Sequence, residues 1–176
     1  MANERSDIED QLLVMDAQDG DVNAMEQLVS RWQKRLWQHA FRLTSDNQAA
    51  WDITQQSWLG IIRGLRKLND PANFKAWAYR ITTNKSIDWI KKDKAVKHIS
   101  IEEVQGHQHR EKKDIGVKEL LEKLDIRKRA VLYLYYFEQL SVSEISIALK
   151  IPDGTVKSRL ASARKELKEL WQQHFE

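Results

Sequence analysis

The chain has 176 residues, of which 41% are apolar and 31% charged, with seven Trp, six Gly, two Pro and no Cys. This composition supports a buried core and favours helices, while the absence of Cys excludes disulfides and thiolate metal sites and fits a reducing compartment. The acidic N-terminus is unlike a signal peptide and the longest apolar run, residues 130–137, is too short for a membrane span. We therefore expect a cytoplasmic protein without membrane insertion.

Apolar residues at helical spacing predict four helices in the first half of the chain, at about 7–18, 21–43, 49–68 and 74–92. Turns are predicted at 19–21, with Asp21 as an N-cap, and at 69–73. The predicted inward stripes are, in order, Ile8, Leu12 and Met15; Met25, Leu28, Trp32, Leu36, Ala40 and Leu43; Trp51, Thr54, Trp58, Ile61, Leu65 and Leu68; and Phe74, Trp77, Ala78 and Ile81.

The fourth helix changes character after Ile81, because the same face continues through polar and charged residues. An apolar stripe that stops in this way predicts that the second half of the helix leaves the core. The new surroundings are either solvent or a polar partner, and the lysines at 85, 91, 92, 94 and 97 favour a phosphate backbone.

Residues 94–116 show no sustained period and are predicted to be a flexible linker between two small helical domains, 1–93 and 117–176. Apolar spacing then predicts a helix from about Val117, a second capped by Asp125, and a final helix pair. The overall prediction is an all-α chain.

The final pair, residues 141–167, has the pattern of a helix-turn-helix, in which the second helix enters the DNA major groove. Ser141 and Glu144 form a capping box, and the segment 151–154 contains Pro152 and Gly154, which favour a sharp turn. From about Thr155 a second helix follows, with five cations against one acid over residues 154–168. A solvated charged surface helix is the alternative, but the cap, turn and preceding helix together favour DNA recognition.

No pattern in the sequence indicates catalysis or a cofactor, and we expect a protein that is not an enzyme. The glycines form no phosphate-binding loop, and the carboxylates lie at helix starts and on exposed faces. His107 and His109 in the predicted linker could bind a metal only weakly, so no metal site is predicted.

Four segments in order resemble the bacterial extracytoplasmic-function (ECF) sigma factors, which consist of sigma region 2 and sigma region 4 joined by a linker. The segments are residues 19–29 (DGDVNAMEQLV), 50–60 (AWDITQQSWLG), 74–91 (FKAWAYRITTNKSIDWIK) and 140–168 (LSVSEISIALKIPDGTVKSRLASARKELK). The resemblance covers about residues 8–170.

The resemblance implies a factor that binds RNA polymerase core and directs initiation at promoters through their −10 and −35 elements. The implied partners are the beta-prime clamp helices and beta flap of polymerase, promoter DNA and an anti-sigma factor, although no residue identifies the last. The implied polymerase-binding residues are Asp52, Gln55 and Gln56. The implied −10 residues are Asn69, Asn73, Lys75, Asn84, Lys85, Asp88, Lys91 and Lys92. The implied −35 residues are Thr155, Lys157, Ser158, Arg159, Ser162, Arg164 and Lys165.

Three positions depart from the family pattern. Gln56 stands where a carboxylate is common, Ser146 where alanine is usual, and Ser162 in a segment that commonly carries another arginine. Two alternatives to a sigma factor remain: a helix-turn-helix regulator that is no polymerase subunit, and a helical adaptor whose basic faces bind acidic proteins. The regulator would need an α/β receiver domain, and the adaptor would show no salt-dependent DNA binding.

Overall fold

The computed structural model describes residues 2–101 and 116–175, with side-chain surroundings for residues 6–96 and 116–174. Within these ranges the chain is helical and contains no strand, which confirms the all-α prediction. The N-terminal half comprises α1 (Ala2–Gln18), α2 (Val22–Thr44), α3 (Asn47–Gly64) and α4 (Phe74–Ile101), with short 3-10 turns at Leu65–Lys67 and Pro71–Asn73. The C-terminal half comprises α5 (Val117–Lys123), α6 (Ile126–Tyr136), α7 (Val142–Leu149) and α8 (Asp153–Phe175).

The α1–α2 corner forms as the sequence predicts. Gly20 has a φ of 102°, a left-handed conformation that glycine adopts without strain. The Asp21 side chain accepts hydrogen bonds from the backbone N–H groups of Asn23 and Ala24 and so caps α2.

The predicted inward face of α1 is wrong. Ile8, Leu12 and Met15 are 58%, 56% and 52% exposed, whereas Val14 and Asp10 are buried. The reason is a polar contact that apolar periodicity does not register. Buried Asp10 accepts hydrogen bonds from Arg31 Nε and from the indole N–H of Trp32 on α2, which turns the opposite side of α1 to solvent.

Trp32 is the centre of the N-terminal core and joins three helices. Its ring makes edge contacts with Phe74 and Tyr79 of α4, at centroid distances of 5.4 and 5.8 Å. Its indole N–H bonds to Asp10 of α1 at 3.0 Å. Burial of three aromatic rings with a satisfied indole N–H therefore fixes how α1, α2 and α4 pack.

The inward face of α3 is predicted correctly for Thr54, Trp58 and Ile61, but Trp51 is 40% exposed and not inward. Small residues take the inner position instead, since Ala50 and Ile53 pack in a cluster with Ala40 and Ala49. The Trp51 indole lies at the edge of this cluster instead, 5.7 Å from the ring of Trp37 on α2.

Two features of α4 differ from the prediction. The helix extends to Ile101 rather than ending near residue 92, and it does not leave the core directly after Ile81, because buried positions continue as far as Ile90. Thr82, Thr83 and Ser86 are fully buried, so one face stays packed while another carries exposed polar residues. The hydroxyls of Thr82 and Ser86 bond to carbonyls one turn earlier in the helix, so these polar side chains can be buried without an unpaired donor.

The C-terminal half packs α5, α6, α7 and α8 around an apolar core, with α8 in contact with the other three helices. Asp125 caps α6 through the N–H of Arg127, as predicted. Val131 and Leu134 are fully buried, whereas Tyr135 is only partly buried. The periodicity of this half therefore predicts most of its core.

The two halves are in contact with each other. Packing of α4 against α7 and of α2 against α6 joins them, and one apolar cluster contains buried residues from both halves. Within the described ranges, none of the helices is both long enough and apolar enough to cross a membrane.

Candidate nucleic-acid and polymerase interfaces

The turn between α7 and α8 presents α8 at the surface. The Ser141–Glu144 capping box is present, with the Glu144 carboxylate accepting the Ser141 N–H at 2.7 Å. Lys150, with a φ of 52°, is the left-handed residue of the turn. The role predicted for Gly154 is therefore wrong: α8 begins at Asp153, two residues before the predicted start, and Gly154 lies in its first turn.

Ser146 fixes the geometry of this turn. Its hydroxyl donates to the carbonyl of Ile151 at 2.6 Å, and the Ile151 N–H donates to the Ser146 carbonyl at 3.2 Å. The side chain that departs from the family pattern thus adds a bond that alanine cannot make.

The predicted −35 residues divide into three groups on α8. Ser158, Ser162 and Lys165 lie on the face opposite the buried Val156 and Leu160, and all three are exposed. Lys157, also exposed, and Thr155 and Arg159, both partly exposed, flank that face. Arg164 forms the third group, because its guanidinium faces α6 and lies 5.5 Å from the ring centroids of Tyr135 and Tyr136.

The predicted −10 residues on α4 are not equally accessible. Asn84, Asp88 and Lys91 share one exposed strip, with exposed Lys92 and partly buried Lys85 at its edge. Lys75, one of the predicted contacts, has a side chain only 18% exposed, and its Nζ lies 3.8 Å from Glu144 Oε1.

The turn before α4 holds the other two −10 candidates. Asn69 is exposed, whereas the Asn73 amide donates to the Asp70 carboxylate at 3.4 Å. Asp70 also accepts the Ala72 N–H at 2.9 Å, so this turn is stabilised locally.

The predicted polymerase-binding residues share the outer surface of α3. Asp52, Gln55 and Gln56 are all exposed. The same surface carries an apolar stripe that the sequence interpretation missed: Trp51, Leu59 and Ile62, exposed to 40%, 53% and 50%. The spacing of 51, 55, 59 and 62 is itself helical, and could have identified this stripe as a second amphipathic face of α3.

A second missed feature is an apolar groove of about 500 Å³ in the C-terminal half. It is lined by Val117, Leu121, Leu132, Tyr136, Phe137, Leu167 and Trp171, with Arg164 and Lys168 at its rim. Trp171 of this lining is 44% exposed.

Among the described residues, no group of three or more His, Cys, Asp or Glu side chains could hold a metal ion. His107 and His109, the weak candidates from the sequence, lie outside the described residues.

Two family models match the chain: Sigma-70 region 2 over residues 28–96 and Sigma-70 region 4 over residues 116–167. The first range covers α2 from residue 28, all of α3, and α4 up to residue 96, and the second covers α5–α7 and α8 up to residue 167. The models therefore assign the two halves of the molecule to the two sigma regions in the predicted order.

The chain is similar to ECF RNA polymerase sigma factors over most of its length. Identity to SigM of Mycobacterium tuberculosis (strain ATCC 25618 / H37Rv) is 31% over 172 residues, covering 96% of this chain and 86% of SigM. Identity to SigE of Mycolicibacterium smegmatis is 28%, covering 88% of this chain but only 65% of SigE. The structure of CnrH in complex with the cytosolic domain of CnrY matches with a TM-score of 0.72 and 25% identity, covering 94% and 98% of the two chains.

Motif order, fold and these similarities define the class as RNA polymerase sigma factors. Within that class, the chain belongs to the ECF family, with region 2 and region 4 as its two halves.

The hydrogen bond from Ser146 to Ile151 predicts that alanine substitutions at two serines of α7 differ in their effect on stability. Ser146→Ala should lower the free energy of unfolding by about 0.5–1.5 kcal/mol relative to Ser143→Ala, the effect of one lost hydrogen bond. Ser143 is an exposed serine of the same helix, so Ser143→Ala controls for the replacement of a serine by alanine. Urea denaturation followed by circular dichroism measures the difference, and equal stabilities would show that the bond contributes nothing.

Proposed function

We propose that this sigma factor uses four surfaces at once: α3 and the C-terminal apolar groove for polymerase, the outer strip of α4 for the −10 element, and α8 for the −35 element. The observation that carries the proposal is that each surface is exposed. Each also lies in the sigma region for which the family resemblance implies that role. The role is binding, in the cytoplasm, without chemistry of its own.

The surface of α3 suits a protein partner. Trp51, Leu59 and Ile62 supply apolar area, and Asp52, Gln55 and Gln56 supply polar groups beside it. An apolar centre with a polar rim is the usual anatomy of a protein interface. We assign this surface to the beta-prime clamp helices of polymerase.

The strip on α4 suits nucleic acid. Asn84 and Asp88 offer hydrogen-bonding groups for base edges, and Lys91 and Lys92 offer charges for phosphates. Lys85 and Asn69 are further candidates for the same DNA contact. Asn73 could contact DNA only after leaving Asp70, and Lys75 only after leaving Glu144.

The −35 contact is assigned to the outer face of α8. Ser158, Ser162 and Lys165 lie at its centre, with Thr155, Lys157 and Arg159 at its sides. Arg164 is a weaker candidate because it faces Tyr135 and Tyr136, beside the apolar groove. That groove has the depth and apolar lining to receive a helix from a protein, and we assign it to the beta flap.

An anti-sigma factor remains a proposed partner. CnrH, which has the same fold over nearly its whole length, was solved with the cytosolic domain of CnrY bound to it. That similarity supports regulation of this chain by a protein that binds it, without identifying that protein.

Neither alternative function has a specific observation in its favour. A response regulator would need an α/β receiver, and residues 2–101 as described contain no strand. A helical adaptor for acidic proteins would not explain matches to both sigma regions.

Reconstituted initiation tests the proposed function directly. The chain, added to polymerase core that lacks any sigma factor, should give discrete start sites on a genomic DNA pool. Aligning the sequences upstream of those starts should yield two conserved elements near −10 and −35. If the core enzyme is active but no discrete starts appear, the proposal is refuted. If the starts share only one conserved element, the DNA-binding role assigned to the other sigma region is wrong.

Truncation of the α3 stripe should weaken polymerase binding. Leu59→Ala should weaken the affinity for core by roughly 1–2 kcal/mol, about 5- to 30-fold, as expected for an apolar interface residue of above-average contribution. Leu12→Ala is the matched control, because Leu12 is equally exposed but lies on α1. Titration of fluorescently labelled chain with core measures both, and equal affinities would exclude the stripe from the interface.

Two cations of α8 should have separable effects on promoter DNA. If Arg159 pairs with a guanine, Arg159→Ala should cost about 1–3 kcal/mol of discrimination between promoter and altered −35 sequence. Lys165→Ala should instead weaken binding to all sequences alike and reduce the salt dependence, as loss of a phosphate contact does. Holoenzyme binding to matched and altered promoters distinguishes these outcomes; uniform weakening by Arg159→Ala would make it a phosphate contact only.

A further inference from the structure

Opposite charges face each other where the two halves of the chain meet. The N-terminal half presents Arg42 and Lys75, and the C-terminal half presents Glu138 and Glu144. At the end of α2, the Ser45 hydroxyl also donates to the Glu122 carboxylate at 2.5 Å. This pattern of cations on one side and acids on the other is the complementarity found at specific interfaces.

Glu138 is the centre of this contact. Its side chain is 7% exposed, although it belongs to the loop after α6 and not to a helix. Arg42 donates to its Oε1 at 2.6 Å and the Tyr79 hydroxyl donates to its Oε2 at 2.5 Å. Nδ1 of buried His39 lies 3.6 Å from Oε1. A carboxylate from one half is thus enclosed by three side chains of the other.

The loop is built to present this carboxylate. The N–H groups of Glu138 and Leu140 bond to carbonyls of α6, at Tyr133 and Leu134. Gln139 between them is left-handed, with a φ of 55°, which turns the chain sharply. Arg42 also lies over the ring of Phe137 at 4.8 Å, so the loop holds its guanidinium from two directions.

The carboxylate is charged at neutral pH. Burial raises the pKa of Glu138, but His39, the Tyr79 hydroxyl and the Arg42 guanidinium outweigh burial and hold the pKa below its usual value. A buried ion pair gains little net stability on forming, but removing one partner is strongly unfavourable. Because the net gain is small, the two halves can be docked in the free chain and still separate when a competing partner binds.

Closure covers part of the proposed −10 surface. Lys75 faces Glu144, the same residue whose other carboxylate oxygen caps α7 of the helix-turn-helix. Glu144 therefore occupies the position beside Lys75 that a DNA phosphate would have to take. The same carboxylate stabilises the helix-turn-helix of the C-terminal half.

The closed arrangement is also too small for a promoter. A compact chain of this length has a radius of gyration of about 16 Å and hence a diameter of about 40 Å. Elements near −10 and −35 are about 25 base pairs apart, more than two turns or ~70 Å of B-DNA. The two halves cannot contact both elements without separating.

We propose that the contact around Glu138 is a self-inhibitory latch, in which the C-terminal half docks on the N-terminal half and must be released before both promoter elements are bound. The reason for release rests on the proposed function, whereas the latch itself is a property of the free chain. Its partner surface is formed by His39, Arg42, Lys75 and Tyr79.

The absence of Cys allows two labelling cysteines to be placed cleanly, at exposed Gln27 on α2 and Gln172 on α8. Energy transfer between dyes at these sites should report a short distance in the free protein. Glu138→Gln should lower the ratio of closed to open molecules by roughly 10- to 100-fold, as expected from losing hydrogen bonds to one charged group. Glu169→Gln, which removes an exposed carboxylate of α8, should leave the distance unchanged.

A second variant distinguishes opening of the contact from misfolding of the chain. Tyr79→Phe removes only the hydroxyl that reaches Glu138 and should open the chain to a smaller extent, with helix content by circular dichroism unchanged. The proposal is overturned if both variants keep the wild-type distance, or if Glu169→Gln opens the chain as much as Glu138→Gln. These measurements need neither polymerase nor DNA, so failure of the latch is distinguishable from failure to initiate transcription.

Discussion

The arrangement of the two halves depends on one buried carboxylate. Glu138 lies at the surface of its own helical unit, yet the other unit supplies the groups that bind it. A charge removed from water must have such partners, so the ion pair forms only when the halves are docked. Beside it, His39 is itself held by a hydrogen bond to Thr83, one of the small buried residues of α4.

This constraint gives several residues two roles. Lys75 pairs with an acid of the helix-turn-helix in the closed chain, and in the proposed mechanism opening frees it for the −10 element. Glu144 caps α7 in either state, because the capping bond to Ser141 lies within one unit. Opening therefore breaks contacts between the halves without requiring either helical unit to unfold, which suits a factor that acts repeatedly.

The sequence predicted what depends on local patterns: the helices, the Asp21 and Asp125 caps, the capping box and the two-region resemblance. It failed where two faces of one helix are both plausible, since on α1 the polar pair Asp10–Trp32 and not the stripe of Ile8 selects the inner face. Glu138 could not be anticipated, because its partners are 59 and 96 residues away in the chain. The candidate site residues came from the family resemblance, which gave no sign that Lys75 is covered by Glu144.

Two units that are docked in the free chain are proposed to contact separate elements of one promoter. The most direct test is the distance between spin labels on the two halves, at positions 27 and 172, measured by electron–electron resonance. In the free chain it should lie within the compact diameter of about 40 Å, and in a promoter complex that initiates it should lengthen to ~70 Å or more. A short distance that persists in an initiating complex would contradict the account.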